Sequence, residues 1–305
     1  MSEDSRSGDP FADPAAAERE RRRLEREQHR RPPEPKSPGP RRGRRGLVVV
    51  LVAAAALAVL AAGALAYRHF NRDTPPPVVL RTITLTIPEG YDRAQIAELA
   101  KQEGLRGDYV KASKGHEGYL FPDTFELLKN APVTDLVRLQ LDDFKRRIKG
   151  VDMGYAKSKN LTVLDVVTIA SMVEREAQLD GERKLIAAVI YNRLRQGIPL
   201  GIDATVRFAV GNYDEPLTTS ELETDSPYNT RLNAGLPPGP IGNPGLASIE
   251  AAAHPAQVDF LYYVVKPGTC GEHSFSSTDA EFQADVARYN AARDAAGGQS
   301  PDTCG

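Results

Sequence analysis

Glu117 opens the run Glu117-Gly118-Tyr119-Leu120-Phe121-Pro122-Asp123-Thr124-Phe125, one acid beside a glycine and ahead of an aromatic stretch closed by proline. A carboxylate held against apolar surface loses hydration, so its neutral form gains and its pKa climbs toward the range a general acid needs. Proton transfer by Glu117 is the chemistry this pattern points to, and an ordinary surface glutamate in a turn before a strand is the other reading. Further acids are Asp123, in the same run, and Glu174, in Ala170-Ser171-Met172-Val173-Glu174-Arg175-Glu176-Ala177. Glu174 falls four residues after Ala170 and seven after Val167, on the helix face that meets the core. An acid there is costly unless it is paired, with Arg183 or Arg193 as candidates, or sits in a polar cleft.

Three motifs downstream carry polar groups suited to a polymer. They are Gly201-Ile202-Asp203-Ala204-Thr205-Val206, Ser226-Pro227-Tyr228-Asn229-Thr230, and Leu236-Pro237-Pro238-Gly239-Pro240-Ile241-Gly242-Asn243-Pro244-Gly245, all read as loops. Tyr228 offers a ring face for stacking, and Asn229 and Asn243 offer amide hydrogen bonds; the same residues also simply build turns. His273 is either a ligand contact or a structural hydrogen-bond donor, and no neighbouring ligand gives it metal spacing. No serine nucleophile motif and no nucleotide-binding loop is present.

Taken together, these segments resemble the YceG-like family of endolytic murein transglycosylases over roughly residues 82 to 292, with Ile202 where a serine is usual. The resemblance implies Glu117 as the catalytic acid, with Glu174, Asp203, Thr205, Tyr228, Asn229, Asn243 and His273 as substrate-binding candidates and no metal or cofactor. It implies cleavage of the β-1,4 bond between N-acetylmuramic acid and N-acetylglucosamine without water, leaving a 1,6-anhydro end. One carboxylate suffices for that reaction, whereas ordinary glycosidases use two, about 5–5.5 Å apart when retaining and ~6.5–9.5 Å when inverting. A lysozyme-like hydrolase using Asp123 or Glu174, and a noncatalytic glycan-binding scaffold, are the alternatives.

The elements that must position these residues follow from composition and spacing. Residues 1–45 are rich in Arg, Glu, Pro and Ala and poor in large apolar side chains, the signature of a disordered tail. From Gly46 to Tyr67 the chain is apolar, with no charge until Arg68; about 20 such residues cover the ~30 Å hydrocarbon core as one spanning helix. Arg41, Arg42, Arg44 and Arg45 precede it, which places the N-terminus in the cytoplasm and everything beyond about residue 72 outside the cytoplasmic membrane. A cleaved signal peptide is the rival, on Ala64-Leu65-Ala66, but the preceding region is far too long. Those arginines suit anionic headgroups; no fold or aromatic platform for nucleic acid accompanies them. The net charge of -2 sums a basic tail and a more acidic exterior.

The fold class expected is α+β: a single-pass anchor, a shortened LysM-like lobe and a mixed α+β catalytic domain. Residues 68–81, with Pro75-Pro76-Pro77, form a stiff linker. In residues 82–115, alternation over Thr82 to Ile87 predicts a strand, Pro88-Glu89-Gly90 a turn, and Ile96, Leu99 and Ala100 a helix ending at Gly104. This resembles half of a LysM-like glycan-binding module; a plain βα unit is the alternative. Residues 116–295 form the catalytic domain, helical after Phe125, with helices over Val133–Lys149, from Thr162 or Asp165 to Ala177, and over Glu182–Arg195. A buried strand at Phe260–Val265 and a final helix from Thr278 to about Ala292 follow, then a tail over 296–305. Cys270 and Cys304, the only cysteines, both fall on the oxidising side and are expected to form a disulfide. The partners expected are peptidoglycan glycan strands, the cytoplasmic membrane and, by resemblance, peptidoglycan synthases and division or elongation proteins.

Overall fold

The computed structural model describes residues 45–70 and 81–301, with side chains from residue 55 onward. The tail before residue 45, most of the expected linker, and Cys304 lie outside the described residues. Two compact units divide between Pro77 and Val78. The first contains α1 (Arg45–Phe70), one helix of 26 residues whose apolar side chains Leu57, Val59, Leu60, Leu65 and Phe70 are all exposed. Among the described residues no helix is long and apolar enough to cross a membrane; the side chains of 45–54, in the first turns of α1, are not among them.

The second unit begins with β1 (Thr82–Thr86), α2 (Arg93–Gln102) and α3 (Tyr109–Ala112). Asp92 caps α2 by accepting from the Gln95 backbone N–H, while the Gln95 side chain returns a bond to the Asp92 N–H. Helix α2 stops where Gly104 takes a φ of +75°. The chain is not purely helical after Phe125: Thr124–Leu128 forms β2, antiparallel to β1, with Leu85 opposite Phe125. Period-two alternation turns Leu85, Ile87, Phe125 and Leu127 inward against Ile96, Ala100 and Leu136. This core uses residues from both sides of position 115, so the packing runs on across the expected lobe boundary.

Helix α4 (Val133–Ile148) joins that core to the next, burying Leu136 in the first and Phe144 in the second. After α5 (Gly154–Ser158), the central helix α6 (Val163–Glu176) opens on a capping box between Thr162 and Asp165. It buries every side chain from Val166 to Val173. A 3₁₀ turn (Asp180–Glu182), α7 (Arg183–Gln196), α8 (Asp203–Val210) and α9 (Thr219–Leu222) follow, then α10 (Leu246–Ala253), which packs along α6 and α7. The segment Asp203–Val206, expected as a loop, is the start of α8. The chain closes with β3 (Tyr262–Val265), β4 (His273–Ser276) and α11 (Asp279–Ala295). All four β3 residues are partly buried, not fully buried as expected; among the described residues β3 pairs with β4 alone, packs with α11, and sets Tyr263 against the larger core.

Candidate active site

Glu117 lies in the turn between α3 and β2, beside the first residues of α2. Its Oε1 accepts from Asn243 Nδ2 at 2.9 Å, and its Oε2 accepts from the Arg93 backbone N–H at 3.2 Å. That N–H is one of the free donors every helix leaves at its start. Asn243 itself is fully buried and holds three segments together. Its Nδ2 also donates to Tyr91 O at 2.9 Å, and its Oδ1 accepts from Leu120 N at 2.9 Å. Backbone bonds from Gly90 N to Asn243 O and from Asn243 N to Tyr91 O close the same junction.

Gly118 fixes the approach of the acid to this junction. It takes a φ of +83°, and a Cβ there would run into the Pro240 ring and stand 2.8 Å from Val167 Cγ1. Burial pushes the Glu117 carboxyl up to about 7. The Arg93 N–H and guanidinium and the Asn243 amide oppose this, and the charge of Asp92 adds to it. A carboxyl poised there exchanges a proton readily near neutral pH. It faces a cavity of about 460 Å³ lined by Asp92, Arg93, Gln95, Val110, Phe208 and Tyr213, among others.

The comparisons with known proteins bear on what such a site is for. The sequence model of the YceG-like family matches residues 54–288. The chain belongs to that family. It is 39% identical over 176 residues to an endolytic murein transglycosylase of Bacillus subtilis, covering 57% of this chain and 48% of that one. To an endolytic murein transglycosylase of Streptococcus pneumoniae it is 33% identical over 261 residues, covering 71% and 46%. The crystal structure of a putative yceG-like protein from Listeria monocytogenes superposes with a TM-score of 0.59 at 30% identity, covering 66% of this chain and 74% of that one. The chain thus spans about half the length of the curated relatives it matches.

Within this YceG-like chain, the site residues expected from sequence divide into those at Glu117 and those that build the frame. Asn243 bonds the acid directly, and Tyr228 lies near enough to feel the Glu117 charge while its ring packs on Phe208, 4.9 Å between centroids. Glu174 accepts from Gly245 N at 2.9 Å, beside Arg183 at 3.4 Å, which tethers α6 to the first residue of the α10 turn. Thr205 and Thr230 share a buried hydroxyl bond of 2.9 Å. Asn229 is buried, donating to Leu222 O and Thr224 O. Asp203 is half-exposed and paired with Arg231 at 2.7 Å.

His273 is held twice by Glu182, through its backbone N–H at 2.8 Å and its Nδ1 at 2.7 Å, the structural arrangement rather than an open sugar contact. Asp123, weighed as a second acid, pairs with Arg147 at 2.9 Å, and its carboxyl is held below the usual range chiefly by the Thr124 backbone N–H. Cys270 is disulfide-bonded; Cys304 lies outside the described residues. The cavity residues Asp92, Arg93, Phe208 and Tyr213 escaped the sequence reading. Asp92 left a legible trace, an acid three residues before Gln95 at a helix start.

Proposed function

We propose that this chain is an endolytic lytic transglycosylase of peptidoglycan glycan strands, with Glu117 as its acid. The observation that carries this reading is a partly buried carboxyl, raised to about 7 and fixed by Asn243, at the edge of an open cavity. Protonated Glu117 gives its proton to the glycosidic oxygen as the bond from muramic C1 to that oxygen breaks. The resulting carboxylate then removes the proton of the muramic 6-hydroxyl as O6 bonds to C1, returning Glu117 to its starting state. No water enters, and the new end is a 1,6-anhydro sugar.

The engagement of Asp123, Glu174 and Asp92 supports this over a hydrolase that would use one of them as its second carboxylate. Asp123 is tied to Arg147 and Glu174 to Arg183 and Gly245, while Asp92 is occupied as a helix cap bonded by Tyr213. Digestion of purified sacculi in ¹⁸O water distinguishes the two. Transglycosylation gives anhydro ends without label, and labelled reducing ends would identify a hydrolase.

The reading extends to location. The apolar run Gly46–Tyr67, preceded by four arginines, anchors the chain in the cytoplasmic membrane with the catalytic unit outside. The exposed apolar side chains along α1 support this. Full chain that stays with membranes through alkaline carbonate extraction would agree; release into the supernatant would remove the anchor. Synthases of the wall and division or elongation proteins are its expected partners, and a crosslinked complex containing none of them would count against that association.

A further inference from the structure

The cavity beside Glu117 has a wall that the acid and its bonding partners do not explain. Two aromatic residues line it, Phe208 near the end of α8 and Tyr213 in the loop that follows Gly211. Phe208 is engaged by Tyr228. Tyr213 is held differently: its hydroxyl bonds the Asp92 carboxylate, on the residue that caps α2. The guanidinium of Arg175 lies over its ring at 4.7 Å, and Arg175 is itself fixed to Gln95 at 2.6 Å.

The loop carrying Tyr213 is also pinned at its base. Arg207 Nη1 donates to Asn212 O at 3.1 Å and to Glu215 O at 2.9 Å, and Asn212 Nδ2 donates to Glu221 at 3.0 Å. A surface loop stiffened in this way, presenting a half-buried ring, is preorganised: its ordering entropy is spent in folding, before any ligand arrives. Sugars in a glycan strand are amphipathic, with C–H faces between polar edges, and a fixed aromatic slab with hydrogen-bonding neighbours suits such a face. The neighbours here are Gln95, Arg93 and the acid itself.

We infer that Tyr213 is the sugar platform of the subsite adjoining Glu117, with Asp92 and Arg175 holding its ring in place. The inference rests on the glycan-cleaving reading above and adds the residue that seats the glycan against the acid. Tyr213 would touch substrate without moving a proton, so its loss raises KM and leaves kcat nearly unchanged. Asp92 and Arg175 act through Tyr213 as positioning residues.

The test measures binding of uncrosslinked glycan strands to the full chain carrying Glu117→Gln, with Tyr213→Phe or Tyr213→Ala added. Cleavage by the chain with Glu117 intact is followed separately. Tyr213→Ala should weaken binding about tenfold, the size of one lost aromatic face, and raise KM in parallel. Tyr213→Phe, which keeps the ring and loses only the Asp92 bond, should stay within about threefold of the parent. Unchanged binding by Tyr213→Ala, or equal losses for Phe and Ala, overturns the platform role. If Tyr213→Ala melts early, Tyr213→Leu carries the same comparison. Absence of anhydro ends from the chain with Glu117 intact would instead strike the glycosidase reading, leaving the binding comparison to decide the platform.

Discussion

At the residue scale, the account turns on where the Glu117 proton goes. The acid's rate-giving form is the protonated one, and its carboxyl sits at about 7, so glycan cleavage should fall with rising pH through that value. Asn243 opposes the upward shift by bonding the carboxylate, so Asn243→Ala should move the alkaline limb higher while lowering the maximal rate. A pH–rate profile of both forms checks this, and a limb that moves down contradicts it. Stability gives an independent reading. The folded pKa exceeds the ordinary 4.5, so the folded state binds the proton more tightly. The contribution is present below pH 4.5 and lost as pH rises through about 7. The shift corresponds to about 3 kcal/mol at most. Glu117→Gln has no such dependence, so its melting temperature should gain on the parent between pH 5 and 8; a gap that ignores pH would refute the buried-carboxyl account.

At the element scale, the acid is placed by a junction of loops against the start of α2. Gly118→Ala should test that junction directly, since it meets both an unfavourable φ and the Pro240 ring. About 1 kcal/mol for the backbone and ~1–3 for overpacking predict a loss of ~2–4 kcal/mol in urea unfolding; a loss below ~1 kcal/mol would contradict the packing. How much of this could be read from the sequence varies with the range of the contacts. Helices α4, α6 and α7 were legible because their apolar spacing is local, while Thr162 and Asp165 stood as alternative starts that the folded capping box joins. The strand β2 stood only in the alternative reading of Glu117 as part of a turn before a strand, because its partner β1 lies some forty positions earlier and nothing near Phe125 signals the pairing. Asp203 and Thr205 read as loop because Gly201 precedes them, although α8 begins there. Asn243 was singled out as a sugar-binding amide, whereas its buried bonds to Tyr91, Leu120 and Glu117 are visible only once the chain has folded. Tyr213 carried no periodic or motif signal at all.

At the scale of the whole molecule, residues 78–305 form one compact unit with two hydrophobic cores bridged by α4. Both cores draw their buried residues from within that unit, so a fragment of residues 78–305 should melt at the same temperature as the full chain; a drop of several degrees would show that residues before 78 support the fold. The site, too, is built wholly within it, from α2, the Glu117 turn, the Asn243 loop and the Tyr213 loop. The measurement that tests the central claim most directly is mass spectrometry of purified glycan strands after incubation with the full chain and with its Glu117→Gln form. The account predicts shortened strands with internal 1,6-anhydro ends from the first and intact strands from the second. Equal cleavage by both forms, or products ending only in reducing sugars, would contradict it.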